Sequence, residues 1–275
     1  MNDAARAVAL SLISHTNAGK TTLARTLLGR DVGEVRDAPH VTTEATPYPL
    51  IQTPEGDALV LWDTPGFGDS VRLARRLRQQ GNPIGWFLSQ VWDRFRNQPF
   101  HLSQQAVRNV RDDADVVLYL VNASEAPADA GYLAPELEVL AWIGRPVVVL
   151  LNQTGRPRPR AEEEADEARW REALRAHPLV HQVLALDACA RCWVQEIVLL
   201  RALAPIVAAD KRDAYQRLVR AWQMRRDLQF DQAMAALAAP IASAACDVER
   251  LANPRLRDTR RDAFRSLVAG QPEDE

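Results

Sequence analysis

Apolar residues along the chain gather into short uninterrupted runs: Val8-Ala9-Leu10-Ser11-Leu12-Ile13, Leu59-Val60-Leu61-Trp62, Val116-Val117-Leu118-Tyr119-Leu120-Val121 and Val147-Val148-Val149-Leu150-Leu151. Continuous runs of this length, rather than alternating ones, are what strands need when helices cover both faces of a sheet. A segment from Tyr48 leads through Thr53-Pro54-Glu55-Gly56 into the run ending at Trp62, and this turn chemistry predicts a hairpin and hence one antiparallel strand. Val183-Leu184-Ala185-Leu186 supplies a weaker sixth strand. Helical spacing predicts helices over 21–28, 103–112, 133–143, 161–176 and 190–208, so strands and helices alternate and an α/β doubly wound sheet follows. From residue 209 the strand pattern stops. Leu218, Trp222, Leu228 and Met234 continue at helical spacing, and Pro240 and Pro254 are expected to break the tail into two or three helices, with a frayed acidic end after Gly270. The predicted organisation is an α/β domain over 1–208 and a helical extension over 209–275.

A chain of 275 residues can bury one large core or two of ordinary size. The net charge of -2 argues against a globally basic nucleic-acid binder. The apolar run at Val8–Ile13 is too short to span a bilayer and has no small-residue cleavage site after it, which predicts a protein with no transmembrane segment, located in the cytoplasm. Three cysteines, Cys189, Cys192 and Cys246, cannot all pair and are too few for a disulfide scaffold.

The chemistry sits just after the first run. Ser14-His15-Thr16-Asn17-Ala18-Gly19-Lys20-Thr21 fits the phosphate-binding loop G-x-x-x-x-G-K-[ST] except that Ser14 stands at the first glycine. In such a loop backbone N–H groups wrap the phosphates, the lysine reaches the β/γ-phosphates and the hydroxyl ligates Mg²⁺. Of 34 basic side chains only Lys20 and Lys211 are lysine, so an Arg-rich protein has kept the compact ammonium where a planar guanidinium is too bulky. Because a helix follows the loop, its N-terminal N–H groups and dipole favour an anion there. The second run delivers Asp63-Thr64-Pro65-Gly66 to a strand's carboxyl end, where ligands of parallel sheets bind. Asp63 is placed to hold Mg²⁺ through water, and Gly66 can bring its N–H against a γ-phosphate because no Cβ intervenes.

These pieces, with the Thr42-Thr43 pair in the polar stretch 31–46, resemble the translation-factor-related small GTPases, the Era and tRNA-modification (TrmE-like) enzymes, and most closely bacterial Era-like GTPases with an uncharacterised helical C-terminal domain. The resemblance covers about residues 6–205. It implies a Ras-like P-loop GTPase fold that binds GTP and GDP, with six strands, mostly parallel, one antiparallel, and a helical tail. Carried over residue by residue, Lys20 contacts the β/γ-phosphates, Thr21 ligates Mg²⁺, Thr42 or Thr43 closes on the ion and the γ-phosphate, and Thr16, Asn17, Ala18, Gly19 and Thr22 line the nucleotide. Where the family has N-K-x-D to read the base, this chain has Asn152-Gln153-Thr154-Gly155. Gly155 cannot supply the acid that rejects adenine, so guanine preference is left to Asn152, Gln153 and the backbone near Asp187-Ala188. The catalytic glutamine of Ras-like enzymes is absent too, since Phe67 follows Gly66. The resembling potassium-dependent enzymes have an Asn at the position of Asn17 that ligates K⁺, which implies K⁺-stimulated, intrinsically slow hydrolysis. The alternatives are a nucleotide-binding scaffold with negligible turnover and a P-loop ATPase with loose purine selectivity.

Other features have plainer readings. Trp86, Val91 and Phe95 form a stripe that either joins the core or meets a partner, within a span 71–100 that is one candidate effector surface, the C-terminal helices being the other. Arg72, Arg75, Arg76 and Arg78 form a basic face over Leu73 and Leu77 that would suit RNA or a ribosome, although a solvated face explains it as well. His177, His181, Cys189 and Cys192 can be written as a zinc quartet, but the spacing fits a loop and a helix start better. His15 is expected to brace the loop backbone.

Overall fold

In the computed structural model of the chain the described residues are 6–15, 18–29, 46–64, 66–67, 70–79, 107, 110–188, 193–246 and 264–265. The strands are β1 (Ala7–Ser14), β2 (Thr46–Gln52), β3 (Ala58–Asp63), β4 (Val116–Asn122), β5 (Val147–Asn152) and β6 (Val180–Ala185). The helices are α1 (Lys20–Leu28), α2 (Ser70–Gln79), α3 (Leu133–Ile143), α4 (Arg160–Leu174), α5 (Trp193–Leu203) and α6 (Arg212–Ala245). The sheet runs β2-β3-β1-β4-β5-β6, with β2 antiparallel to β3 and every other pair parallel. This is the six-stranded, mostly parallel sheet with one antiparallel strand that the apolar runs predict.

The runs are apolar throughout because successive side chains enter different cores. In β4, Val116, Leu118 and Leu120 join one apolar cluster, while Val117, Tyr119 and Val121 join the other. In β5, Val148 and Leu150 point one way and Val147, Val149 and Leu151 the other. The first cluster is roofed by Leu23 and Leu27 of α1, Leu199 and Leu203 of α5, and Tyr215, Leu218 and Trp222 of α6. The second is roofed by Leu73 of α2, Leu137 and Leu140 of α3, and Trp170 of α4. Fully burying one such side chain stabilises the fold by about 1.5–3 kcal/mol, so a central strand anchors the layers more than its hydrogen bonds do. Pro47 and Pro49 lie in β2, an edge strand whose register slips between Pro49 and Ile51. Edges and irregularities are where a residue without an N–H is tolerated.

Two compact units divide at Arg226/Asp227. Within the first, the start of α6 is tied to the sheet by charge as well as by Trp222. Arg217 Nε donates to buried Asp57 at 2.6 Å, and Lys211 Nζ donates to both oxygens of Asp115 at 2.8 Å. Arg217 holds the Asp57 carboxyl below its ordinary range. Within the second, Pro240 does not break the helix as its sequence suggests: α6 runs through it to Ala245. The flanking Ala235, Ala236, Leu237, Ala238 and Ala239 are strong helix formers, and the Ala236 carbonyl that Pro240 cannot serve lies on an exposed helix where water can serve it. Pro254 lies outside the described residues, and beyond it only Phe264 and Arg265 are described, both helical.

Candidate functional site

β1 ends at Ser14 and α1 begins at Lys20, so the predicted loop spans the carboxyl end of the central strand and the mouth of a helix. Gly19 caps α1 in the left-handed region at φ 87 and, as a glycine, brings no side chain of its own to the first turn. The N–H groups of a helix's first turn lack intrahelical partners and suit an anion. A Cβ on Gly19 would sit 2.6 Å from Asn152 Nδ2, so both backbone angle and space demand glycine here.

Lys20 Nζ donates to Ser14 Oγ at 3.3 Å, and a Cβ on Gly66 would fall 3.1 Å from that ammonium. Burial pushes the Lys20 pKa down, against the opposing pull of Asp63 and then Glu136. A half-buried ammonium whose charged form is disfavoured by its surroundings gains from an arriving polyanion. Thr21 Oγ1 donates to Asp63 Oδ2 at 2.8 Å, while Asp63 Oδ1 is buried without a hydrogen-bond partner. Burial raises the Asp63 pKa, with Lys20 and Thr21 acting against that rise. A hydroxyl and an orphaned carboxylate oxygen side by side are hard oxygen donors of the kind Mg²⁺ takes, so the residues present fit that ion.

The strand-end turn after β3 is pinned from below: Thr64 Oγ1 donates to the Leu12 carbonyl, and Phe67 N–H donates to the Ser14 carbonyl at 3.1 Å. Gly66 is therefore held against Lys20. Phe67 itself turns away, its ring fully buried with Ile13, Leu73 and Val110 in the second cluster, so no side chain at that position faces the ligand edge.

A group that the sequence did not single out holds the loop from behind. Glu136 of α3 is completely buried; His15 Nδ1 lies 2.8 Å from its Oε1, and Tyr119 Oη donates to its Oε2 at 2.7 Å. The His15 ring stacks on Tyr132 at 4.4 Å and 12°. The His15 side chain thus reaches Glu136 and Tyr132 at the start of α3. Burial raises the Glu136 pKa, and His15 heads the contacts that counter it. The signal is an acid at helical spacing with Leu133, Leu137 and Leu140, on the buried face of α3, since buried carboxyls need partners.

On the other flank, buried Asn152 at the end of β5 donates from Nδ2 to the Ala18 carbonyl at 2.8 Å and accepts from Ala188 N–H at 2.7 Å on Oδ1. Thr26 Oγ1 donates to the Ala188 carbonyl at 2.7 Å. Asn152 therefore ties the phosphate-loop segment to the segment after β6. Gln153, next in the chain, adopts φ 58, the one non-glycine positive φ among the described residues. Thr22 lies in the first turn of α1. Thr16, Asn17, Thr42, Thr43, Cys189 and Cys192 lie outside the described residues, as do Trp86, Val91 and Phe95. No cluster of three or more metal-ligating side chains occurs among the described residues, and His177 and His181 stand without one.

Of the basic helix, Leu73 is buried and Arg78 forms a two-pronged ion pair with Glu138 of α3. The exposed pairs Arg160–Glu164 and Arg171–Glu167 on α4 mark a solvated face, as its charge pattern predicts. No helix among the described residues is long and apolar enough to cross a membrane.

A mostly parallel sheet of this order, a glycine-capped loop-to-helix junction carrying Lys20 and Thr21, and Asp63 at the adjacent strand end define a P-loop GTPase fold. Residues 10–153, over half the chain, match the family described as 50S ribosome-binding GTPases, and the protein belongs to that family. Among solved structures it is similar to a variant of Aquifex aeolicus Era bound to GDP and aluminium tetrafluoride, with TM-score 0.52 and 18% identity over 74% of this chain and 57% of that one. It is similar also to Era in complex with MgGDPNP and a segment of 16S ribosomal RNA, with TM-score 0.52 and 17% identity over 72% and 56%. The chain thus spans just over half the length of these structures, and identities this low speak for the fold alone. A comparison with curated protein sequences gives no match.

Proposed function

We propose that the protein is an Era-like, TrmE-like molecular switch that binds GTP with Mg²⁺ in the cytoplasm and hydrolyses it slowly to GDP and phosphate, with stimulation by K⁺. The observation that carries the reading is the meeting of the Lys20 ammonium, Thr21 Oγ1 and the orphaned Asp63 Oδ1 at the glycine-capped N-terminus of α1. In this reading Lys20 holds the β/γ-phosphates, and the N–H groups of Ala18, Gly19, Lys20, Thr21 and Thr22 cradle them. Thr21, Asp63 and one of Thr42 and Thr43 hold Mg²⁺, which when bound neutralises charge on the phosphate oxygens. Gly66 offers its N–H to the terminal phosphate, and Asn17 holds K⁺ where an arginine finger's charge would otherwise lie. Residues 1–208 form the GTPase domain and 209–275 its helical extension, with effectors meeting 71–100 or the tail; RNA or a ribosome is one such effector class.

Phosphate release from GTP, measured with K⁺ or Na⁺ and with Lys20→Ala alongside, tests the reading. Release that is faster in K⁺ and abolished by the substitution is expected; equal rates in the two salts remove the potassium role. The burial of Phe67 favours a second reading, a nucleotide-binding scaffold, because no side chain there can orient water. That protein would bind GTP and release no phosphate in either salt.

A further inference from the structure

The segments following β5 and β6 are the outer lip of the site, and most of their polar groups are committed to the protein itself. Both ends of the Asn152 amide are bonded to backbone, and Ala188 has its N–H on Asn152 and its carbonyl on Thr26. Gly155 brings no side chain, takes φ +82, and a Cβ added there would meet nothing within 4 Å. In 152–155 and 186–188 the one acid is Asp187. It is partly exposed, and Thr154 donates to its Oδ2 twice, from N–H and from Oγ1, each at 2.9 Å. Two donors from one residue fix the plane of that carboxylate at the lip of the site.

We infer that the Asp187 carboxylate is the base-selecting group of this site, reached across from the segment after β6 and held in place by Thr154, in the space that Gly155 leaves open. This rests on the nucleotide-binding reading above. A carboxylate only accepts hydrogen bonds. Guanine presents two adjacent donors on one edge, N1–H and the 2-amino group, whereas adenine presents an unprotonated N1 that meets the carboxylate with like polarity. A site built on such charge-assisted bonds rejects a base that cannot make them. Thr154 is a positioning residue here, and Asp187 the one that touches the base.

The test is equilibrium binding of GTP, ITP, XTP and ATP to the full chain in Mg²⁺, for wild type, Asp187→Asn and Thr154→Val. Wild type should bind GTP at least about tenfold more tightly than ITP, which lacks the 2-amino donor, and more tightly still than ATP. Asp187→Asn should lose about tenfold or more for GTP and gain at least as much for XTP, whose C2 carbonyl accepts from an asparagine amide. Thr154→Val should weaken GTP without gaining XTP. If Asp187→Asn keeps the wild-type GTP preference and gains nothing for XTP, Asp187 merely braces Thr154 and the inference is overturned. The wild-type GTP to ITP ratio decides the matter even where the variant does not fold, since a ratio near one is incompatible with a carboxylate reading the 2-amino group. Wild type that binds GTP and ATP equally sinks this inference alone; wild type that binds none of the four sinks the nucleotide reading with it.

Discussion

Asn152 offers the sharpest test of how the loop is held. Its side chain is buried and makes two hydrogen bonds, to the Ala18 carbonyl at 2.8 Å and from Ala188 N–H at 2.7 Å. Both backbone partners belong to buried residues, so replacing Asn152 by Ala leaves a donor and an acceptor without easy access to water. Each lost bond is worth about 1 kcal/mol and each stranded group costs about 1–3 kcal/mol, giving roughly 2–5 kcal/mol once the overlap between the two is allowed for. For a domain of this size about 2–4 °C of Tm accompanies each kcal/mol, so nucleotide-free Asn152→Ala should melt roughly 5–15 °C below wild type. Asn152→Asp preserves shape and the acceptor for Ala188 but sets an oxygen against the Ala18 carbonyl. It should therefore be no more stable than Asn152→Ala at neutral pH. Differential scanning calorimetry without nucleotide reads both. A drop under about 2 °C for Asn152→Ala, or Asn152→Asp melting close to wild type, would show that the side chain is not a tether and return it to the base as a direct contact.

Lys20→Ala should reduce Mg²⁺-nucleotide affinity by about a hundredfold while the apo protein keeps its fold, because a charged hydrogen bond to phosphate is lost and a desolvated charge is removed; isothermal titration with circular dichroism checks both parts. Glu136→Leu strands His15 Nδ1 and Tyr119 Oη, and urea unfolding should show a loss of about 2–4 kcal/mol, accompanied by weaker nucleotide binding although the substituted side chain lies behind the loop and touches no ligand. Asp57 gives the pH dependence: Arg217 depresses its folded pKa below the ordinary 3.8, so its contribution is present above that value and is lost as pH falls through the folded one. The urea midpoint of wild type should fall more steeply below about pH 4 than that of Asp57→Asn, and parallel curves would remove the ion pair from the account.

The sheet could be read from the chain because its information is local: a strand covered on both faces must be apolar along its length, and β4 and β5 are so up to the Asn that ends each. The phosphate loop could be read because its geometry constrains adjacent residues, Gly19 and Lys20 above all. The side chains that hold the loop could not. His15 and Glu136 are 121 residues apart, and Asn152 reaches Ala18 across 134, so their partnerships exist only once β1, β4 and β5 are side by side. The same applies to Thr154 and Asp187, 33 residues apart, whose relation emerges from the pairing of β5 with β6. Pro240 fails for the opposite reason. A local rule predicts a break, and the helix formers around it prevail over the rule.

These long-range ties share one physical purpose. Backbone N–H groups turned toward one anion site repel one another as like dipoles, with an ammonium beside them adding to it, so without a ligand such a site needs support from outside. The protein supplies that support through Glu136 on His15, Asn152 on Ala18, and Phe67 N–H on the Ser14 carbonyl. Holding the loop in advance lowers the ordering entropy that ligand binding would otherwise require, which is how a rigid site gains affinity with no new contact. It follows that loosening either tether should act chiefly on ligand retention. Glu136→Leu and Asn152→Ala should each raise the nucleotide off-rate more than they lower the on-rate, whereas Lys20→Ala, which removes the charge that attracts the polyanion, should affect both.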